Sequence, residues 1–138
     1  MNDQLVVHTT GRGFVEITGQ VQAFVAAAHV SSGLCNIFVQ HTSASLTIQE
    51  NADPSARHDL ERWLERMGPE GDPAWTHKAE GPDDMPSHVR SMLTDVSMNV
   101  PVRNGVLALG TWQGVYLCEH RSRPHARTIL LTLTGADA

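Results

Sequence analysis

Four histidines of the 138-residue chain stand where an imidazole is available for chemistry: His41, His77, His88 and His120. Imidazole is the commonest metal ligand and the usual acid or base near neutral pH. No two of the four lie one helical turn apart, so any metal centre they form is assembled by the fold from separate elements. Glu119 alternates with Val115 and Leu117 on an apolar strand face, where an unpaired carboxylate is costly, and Arg121 follows on the same face. The two read as a structural ion pair, or as a carboxylate for a metal or a protonated ring nitrogen beside an arginine whose planar fork holds phosphate. Gly110-Thr111-Trp112-Gln113-Gly114 sets an indole and an amide between glycines. It reads as a ligand loop with Trp112 as stacking wall, or as an ordinary turn.

The chemistry is densest between Phe38 and Asp53. Cys35, Ile37, Val39 and His41 alternate with Asn36, Phe38, Gln40 and Thr42, then Ala44, Leu46 and Ile48 take over at the other parity. The face flips at His41-Thr42-Ser43, which demands a bulge or a tight turn there. The segment runs through Asn51 into Asp53-Pro54, a cap followed by a proline suited to the first helical position.

His41-Thr42-Ser43-Ala44-Ser45-Leu46-Thr47-Ile48 with Glu50-Asn51 and Asp53, and later Leu109-Gly110-Thr111-Trp112-Gln113-Gly114 with Glu119 and Arg121, resembles the YjbQ or UPF0047 family over nearly the whole chain. The resemblance implies a sandwich-like core, a homotrimer and a secondary thiamine-phosphate synthase activity, joining a pyrimidine diphosphate to a thiazole phosphate. It also favours functional roles for His41, His77 and His88, and less so for His120, because Phe is also usual at that point in the family.

The elements that must position these residues read as follows. Leu5 to Thr10 and Phe14 to Thr18 are strands around Gly11-Arg12-Gly13, an expected hairpin. A helix starts at Thr18 or Gly19, buries Val21, Phe24, Val25 and Ala28, and ends at Ser31-Ser32-Gly33, with His29 in its last turn. Pro54 to Met67 is a helix whose stripe is Ala56, Leu60, Trp63, Leu64 and Met67, which makes Trp63 core. Residues 68 to 86 form a Gly-, Pro- and acid-rich loop, of a length usually functional or disordered; Trp75, His77 and Glu80 argue against pure disorder. Asp84 and Pro86 open a third helix through Leu93, with Met85, Val89, Met92 and Leu93 inward. The remainder is strand: Val100 to Val102 and Val106 to Leu109 across Arg103-Asn104-Gly105, Val115 to Arg121, and Thr128 to Thr134.

This order predicts one α+β domain over residues 1–138, with three helices and mainly antiparallel sheets. A net charge of −5 with scattered basic residues argues against a nucleic-acid surface. No charged-then-apolar leader and no apolar run near the ~20 residues of a membrane span appear, so a cytoplasmic protein is expected. Cys35 and Cys118 read as buried thiols. No Gly-x-Ser-x-Gly elbow supports a serine nucleophile.

The expected site is one polar pocket that binds a small phosphorylated metabolite. His41, Asn51, Asp53, His88 and Glu119 are its catalytic candidates, and Thr42, Ser43, Trp112, Gln113 and Arg121 its substrate contacts. His41, His77 and His88 are the candidate metal ligands. The expected metal is divalent: magnesium facing a leaving pyrophosphate through Asp53 and Glu119, or zinc in a metal-assisted hydrolase with Glu119 or Asp53 as base. A trimeric metabolite-binding protein without catalysis is the third reading.

Overall fold

A computed structural model describes residues 1–137. The chain opens with β1 (Asn2–His8) and β2 (Gly13–Glu16), then α1 (Thr18–Ala28), β3 (Val30–Val39) and β4 (Ala44–Glu50). Two helices follow, α2 (Pro54–Met67) and α3 (Asp84–Met92), and the chain closes with β5 (Ser97–Arg103), β6 (Val106–Leu107), β7 (Gln113–Glu119) and β8 (Ala126–Asp137). The strands form two antiparallel sheets, β1-β8-β3-β5-β6 and β2-β7-β4. The expected α+β class with three helices is what the chain adopts.

The alternation in β3 does what its pattern promised, since Cys35, Ile37 and Val39 are buried and meet Leu46, Val115 and Leu117 of the smaller sheet and Val21 and Val25 of α1 in one core. The parity change at His41-Thr42-Ser43 is larger than a bulge. At residues 40–43 the chain leaves one sheet and enters the other, and each segment keeps its own inward face. The Asn-Gly hairpin is also present: Asn104 and Gly105 both have positive φ, 53° and 73°, and Arg103 pairs with Val106.

Several expectations fail for identifiable reasons. β1 and β2 are not a hairpin, because β1 pairs with β8 and β2 with β7; the glycines between them carry the chain from one sheet to the other. Helix α1 ends earlier than Ser31, at His29, whose φ of 53° is left-handed, and Ser31 to Gly33 belong to β3. Trp63 is 46% exposed and Met67 40%; α2 rests on one narrow stripe that ends in buried Leu64.

The third helix inverts the apolar rule. Its buried residues are Asp84, Pro86, Ser87 and Arg90, whereas Met92 is 87% exposed and Leu93 lies outside. Most of this inward polar face is hydrogen-bonded, with Arg90 Nε left without a partner among the described residues. Ser87 Oγ donates to the carbonyls of Asp83 and His120 at 2.6 and 3.0 Å, and Arg90 donates to the carbonyls of Gly68, Glu65 and His120. Arg90 thereby caps the end of α2, where free carbonyls favour a cation.

Candidate functional site

The strongest cluster is built from α3 and the loop before it. Asp84 and His88 stand four residues apart on α3, hence on one face, and the loop brings His77 to the same point. Asp84 Oδ2 lies 2.6 Å from His77 Nε2 and 3.1 Å from His88 Nε2, and the three ligand atoms fall within 4.8 Å of one another. Asp84 is buried, while His77 is exposed and His88 partly so, which leaves the cluster open to solvent on one side.

Two of the three, His88 and Asp84, are held from behind. His88 Nδ1 lies 3.1 Å from the Thr42 carbonyl, which can only accept, so Nδ1 carries the proton. Asp84 Oδ1 accepts from Arg121 Nη1 at 2.9 Å. Arg121 Nε donates to Asp83 Oδ2 at 3.0 Å, and Nη2 to the Glu80 carbonyl at 2.9 Å. Burial works against both carboxylates, but their hydrogen bonds and cationic neighbours outweigh it. The Ser122 amide and Arg121 hold Asp83 down at about 2, and His77, His88 and Arg121 hold Asp84 below the usual range.

These residues fit a divalent cation. Two imidazoles and a carboxylate with an open position are a donor set of catalytic zinc, whose ligands at ~2.1 Å stand roughly 3.3 Å apart; the 3.1 Å between Asp84 and His88 is near this, and the 2.6 Å between Asp84 and His77 is a hydrogen-bond distance that would have to open. The backing by Thr42 and Arg121 is the usual outer arrangement that fixes ring orientation and ligand charge. Beside His77 the loop forms a groove of about 350 Å³, lined among others by Trp75, Lys78, Pro82 and Met85.

The expected single pocket is divided. β4 and β7 pair from Ala44 opposite Glu119 to Glu50 opposite Gln113, so the two ends of this ladder are ~20 Å apart at ~3.4 Å per residue. His41, Thr42, Ser43, Glu119 and Arg121 lie at one end with His77 and His88. Asn51, Asp53, Trp112 and Gln113 lie at the other. There Asp53 caps α2 by accepting from the Ser55 amide at 2.9 Å, fully in solvent. Gln113 Oε1 accepts from Gly110 N at 2.7 Å, Asn51 Nδ2 donates to Gln113 O at 3.2 Å, and Trp112 is 63% exposed. The glycine loop in this chain is a self-bonded turn.

Glu119 and Arg121 are not partners through their side chains. Two residues apart, they part company where β7 ends: Glu119 turns inward to Arg127 and the Thr9 hydroxyl, and Arg121 turns to α3. Burial opposes the Glu119 carboxylate, yet Arg127, Thr9 and the Arg121 amide hold its pKa below the ordinary value. His41, expected as a third imidazole ligand, lies outside the His77–Asp84–His88 group, and its Nε2 accepts from the Thr128 amide at 2.8 Å. Asp84 takes the third place instead. Ser45 Oγ is 2.7 Å from His120 Nε2, but both residues are 1% exposed and burial, with Arg90 nearby, pushes the imidazole down to about 3. This pair is part of the interior, out of reach of a substrate.

Sequence reasoning missed Asp84 as a ligand, Asp83 as the anchor of Arg121, and Arg127. A signal existed for two of them. Asp84 and His88 are spaced for one helix face, and Arg127 shares its strand parity with buried Ile129, Leu131 and Leu133.

Comparison with known proteins agrees with this architecture. A UPF0047 protein of Synechocystis is 48% identical over 131 residues, covering 95% of this chain and 89% of its own length. The UPF0047 protein YjbQ of Escherichia coli is 42% identical, covering 95% of each chain. Among solved structures, a conserved hypothetical protein of Thermus thermophilus superposes with a TM-score of 0.85 at 37% identity, over 96% of this chain and 99% of that one. An uncharacterised YjbQ/UPF0047 protein of Clostridium acetobutylicum does so at 0.86 and 33%, with the same coverage. Since the family model described as UPF0047 protein YjbQ-like also matches residues 3–136, the chain belongs to the YjbQ/UPF0047 family.

Proposed function

We propose that this protein is a metal-assisted enzyme acting on a small phosphorylated metabolite, with His77, Asp84 and His88 as ligands of a divalent cation. One observation carries the reading. With its proton on Nδ1, a neutral His88 presents the lone pair of Nε2 to a carboxylate oxygen 3.1 Å away. Two acceptors at that distance need a cation between them, either a proton or a metal ion, and the third donor atom from His77 favours the metal.

Held by His77, Asp84 and His88, a zinc ion would supply a polarised, readily deprotonated water and a Lewis acid for phosphoryl oxygen. The chain's own part is to fix the ligands: Thr42 sets the His88 tautomer and Arg121 holds Asp84 ionised. The groove beside His77, with Trp75 as an apolar wall and Lys78 as a cation, receives the substrate body. Hydrolysis is favoured over the thiamine-phosphate synthase-like transfer, because Arg121, the expected phosphate-holding arginine, is engaged by Asp83 and Asp84. Neither Asp53 nor Glu119 is placed as a free base. The first caps a distant helix, and the second is paired with Arg127.

The test is metal analysis of tag-free protein together with turnover of a phosphate-ester panel and of a pyrimidine diphosphate with a thiazole phosphate. His77→Ala and His88→Ala are each expected to lower zinc affinity by roughly 10- to 100-fold, non-additively, with exposed His58→Ala as the silent control. Zinc affinity unchanged in both variants refutes the centre; zinc binding without any turnover returns the protein to the metabolite-binding reading.

A further inference from the structure

Arg127 is 4% exposed and binds Glu119 side-on, with Nε 2.8 Å from Oε1 and Nη2 on Oε2. Nη2 also donates to the carbonyl and Oγ of Ser43 at 3.2 and 3.1 Å. Nη1 has one neighbour among the described residues, His41 Nδ1 at 3.5 Å, and that neighbour cannot accept. The Thr128 amide occupies the lone pair of His41 Nε2, so a neutral imidazole keeps its proton on Nδ1. Burial and the Arg127 charge lower the His41 pKa against the opposing pull of Glu119, and the Thr128 bond leaves Nδ1 as a donor. A buried donor, Arg127 Nη1, and a half-buried one, His41 Nδ1, therefore face each other with no acceptor between them, an arrangement that an incoming acceptor relieves. Ser43 Oγ, which accepts from Arg127, has its own hydroxyl proton to give and is a third donor.

We propose that Arg127 Nη1, His41 Nδ1 and Ser43 Oγ form an oxyanion subsite for the phosphate or carboxylate group of a small metabolite. His41 and Ser43 line a shallow depression of about 600 Å³ with Phe38 and Val96, which brings an anion to these two donors; Arg127, 4% exposed, is not part of its lining and is met only past them. Thr42, between them in sequence, gives its carbonyl to His88, so the subsite borders the His77–Asp84–His88 cluster and one substrate can span both. In that last respect the inference rests on the metal reading; anion binding itself does not. Because Glu119 already neutralises Arg127, the subsite works by directed hydrogen bonds, and free phosphate is expected to bind weakly, with Kd on the order of 1 mM.

The experiment is a titration of EDTA-treated protein with inorganic phosphate, followed by phosphorus NMR and calorimetry, with a parallel acetate titration to separate phosphate from carboxylate as the group preferred. Glu119→Gln keeps the shape and uncovers the Arg127 charge, so it is expected to tighten anion binding by about tenfold. Glu119→Gln with Arg127→Met removes both charges together, leaves no orphaned ion, and is expected to abolish binding. Ser43→Ala, a change at a partly exposed hydroxyl that threatens folding least, is expected to weaken binding several-fold and carries the test if the double variant does not fold. Affinity unchanged in Glu119→Gln and Ser43→Ala, or lost in His77→Ala instead, overturns the subsite. Loss of zinc binding with phosphate binding intact would sink the metal reading alone.

Discussion

Arg121→Met separates a structural arginine from a phosphate-holding one. Arg121 is one-fifth exposed and bridges two carboxylates whose side chains are 9% and 4% exposed, so its removal leaves Asp83 and Asp84 as adjacent buried anions. Breaking a buried pair typically costs ~3–5 kcal/mol; the partial exposure of Arg121 and the surviving bonds from Ser122 and His77 reduce this to ~2–3 kcal/mol. The Asp83 shift from 3.8 to about 2 corresponds to ~2 kcal/mol shared between the Ser122 amide and Arg121, so it bounds from above what Asp83 loses with the arginine. At ~2.1 cal/mol/K per residue, this chain's unfolding entropy is ~0.3 kcal/mol/K, so the melting temperature should fall by ~7–10 °C. A depressed carboxylate stabilises the fold above its ordinary pKa and loses that contribution as pH falls through 3.8 toward about 2. The gap between wild type and variant should therefore be full at neutral pH and narrow below pH ~3.5. Circular-dichroism melts at both pH values measure it. A variant within ~2 °C of wild type near neutrality, but without substrate affinity, would refute the structural role and restore the phosphate role.

The remaining predictions concern the histidine in the interior, the distant cap and the outer face of the larger sheet. His120 is pushed from 6.5 down to about 3, so between these values the unfolded chain binds a proton that the folded chain refuses, and stability falls with acid. His120→Phe should flatten that slope, and equal slopes of urea midpoint against pH would show that His120 does not set it. Asp53→Asn should keep zinc affinity and cost a few tenths of a kcal/mol, because Asn caps as well as Asp. Lost turnover at unchanged melting temperature would mean that Asp53 reaches a site across a subunit boundary. On β3, β5 and β8 the residues alternating with the core, including Leu34, Asn36, Phe38, Ser97, Asn99, Leu130 and Thr132, are uncharged apart from Arg103 at the end of β5. A face of this kind suits the expected homotrimer. Light scattering should return a trimer mass that Phe38→Lys lowers, and a wild-type monomer at micromolar concentration would rule the trimer out.

The parts of the fold legible in the sequence are those where one local rule decides. Alternation placed Cys35, Ile37 and Val39 inside, Asn104-Gly105 turned the chain, and Asp53-Pro54 opened α2. The failures along the strands share a cause of another kind, since each depends on which sheet a segment joins. Gly11 to Gly13 look like a hairpin loop yet connect two sheets, and His41 to Ser43 look like a bulge for the same reason. Pairing partners far along the chain leave no mark in a ten-residue window.

The site shows the same limit more sharply, because the same side chain suits two roles and only tertiary neighbours choose between them. Asp84 reads as a cap, since acids favour a helix start, but position 83 is the N-cap and makes no side-chain cap bond, its carboxylate being taken by Arg121 and Ser122. Asp84 is thereby turned inward, where four-residue spacing sets it beside His88 and where burial without partners would be prohibitive. Arg121 neutralises one of its oxygens and the two imidazoles meet the other. The buried polar stripe Asp84, Ser87 and Arg90, fatal to an apolar reading of α3, is thus the condition for the cluster to exist: a helix with Met92 and Leu93 packed inward would have carried His88 away from Thr42 and Asp84 away from Arg121.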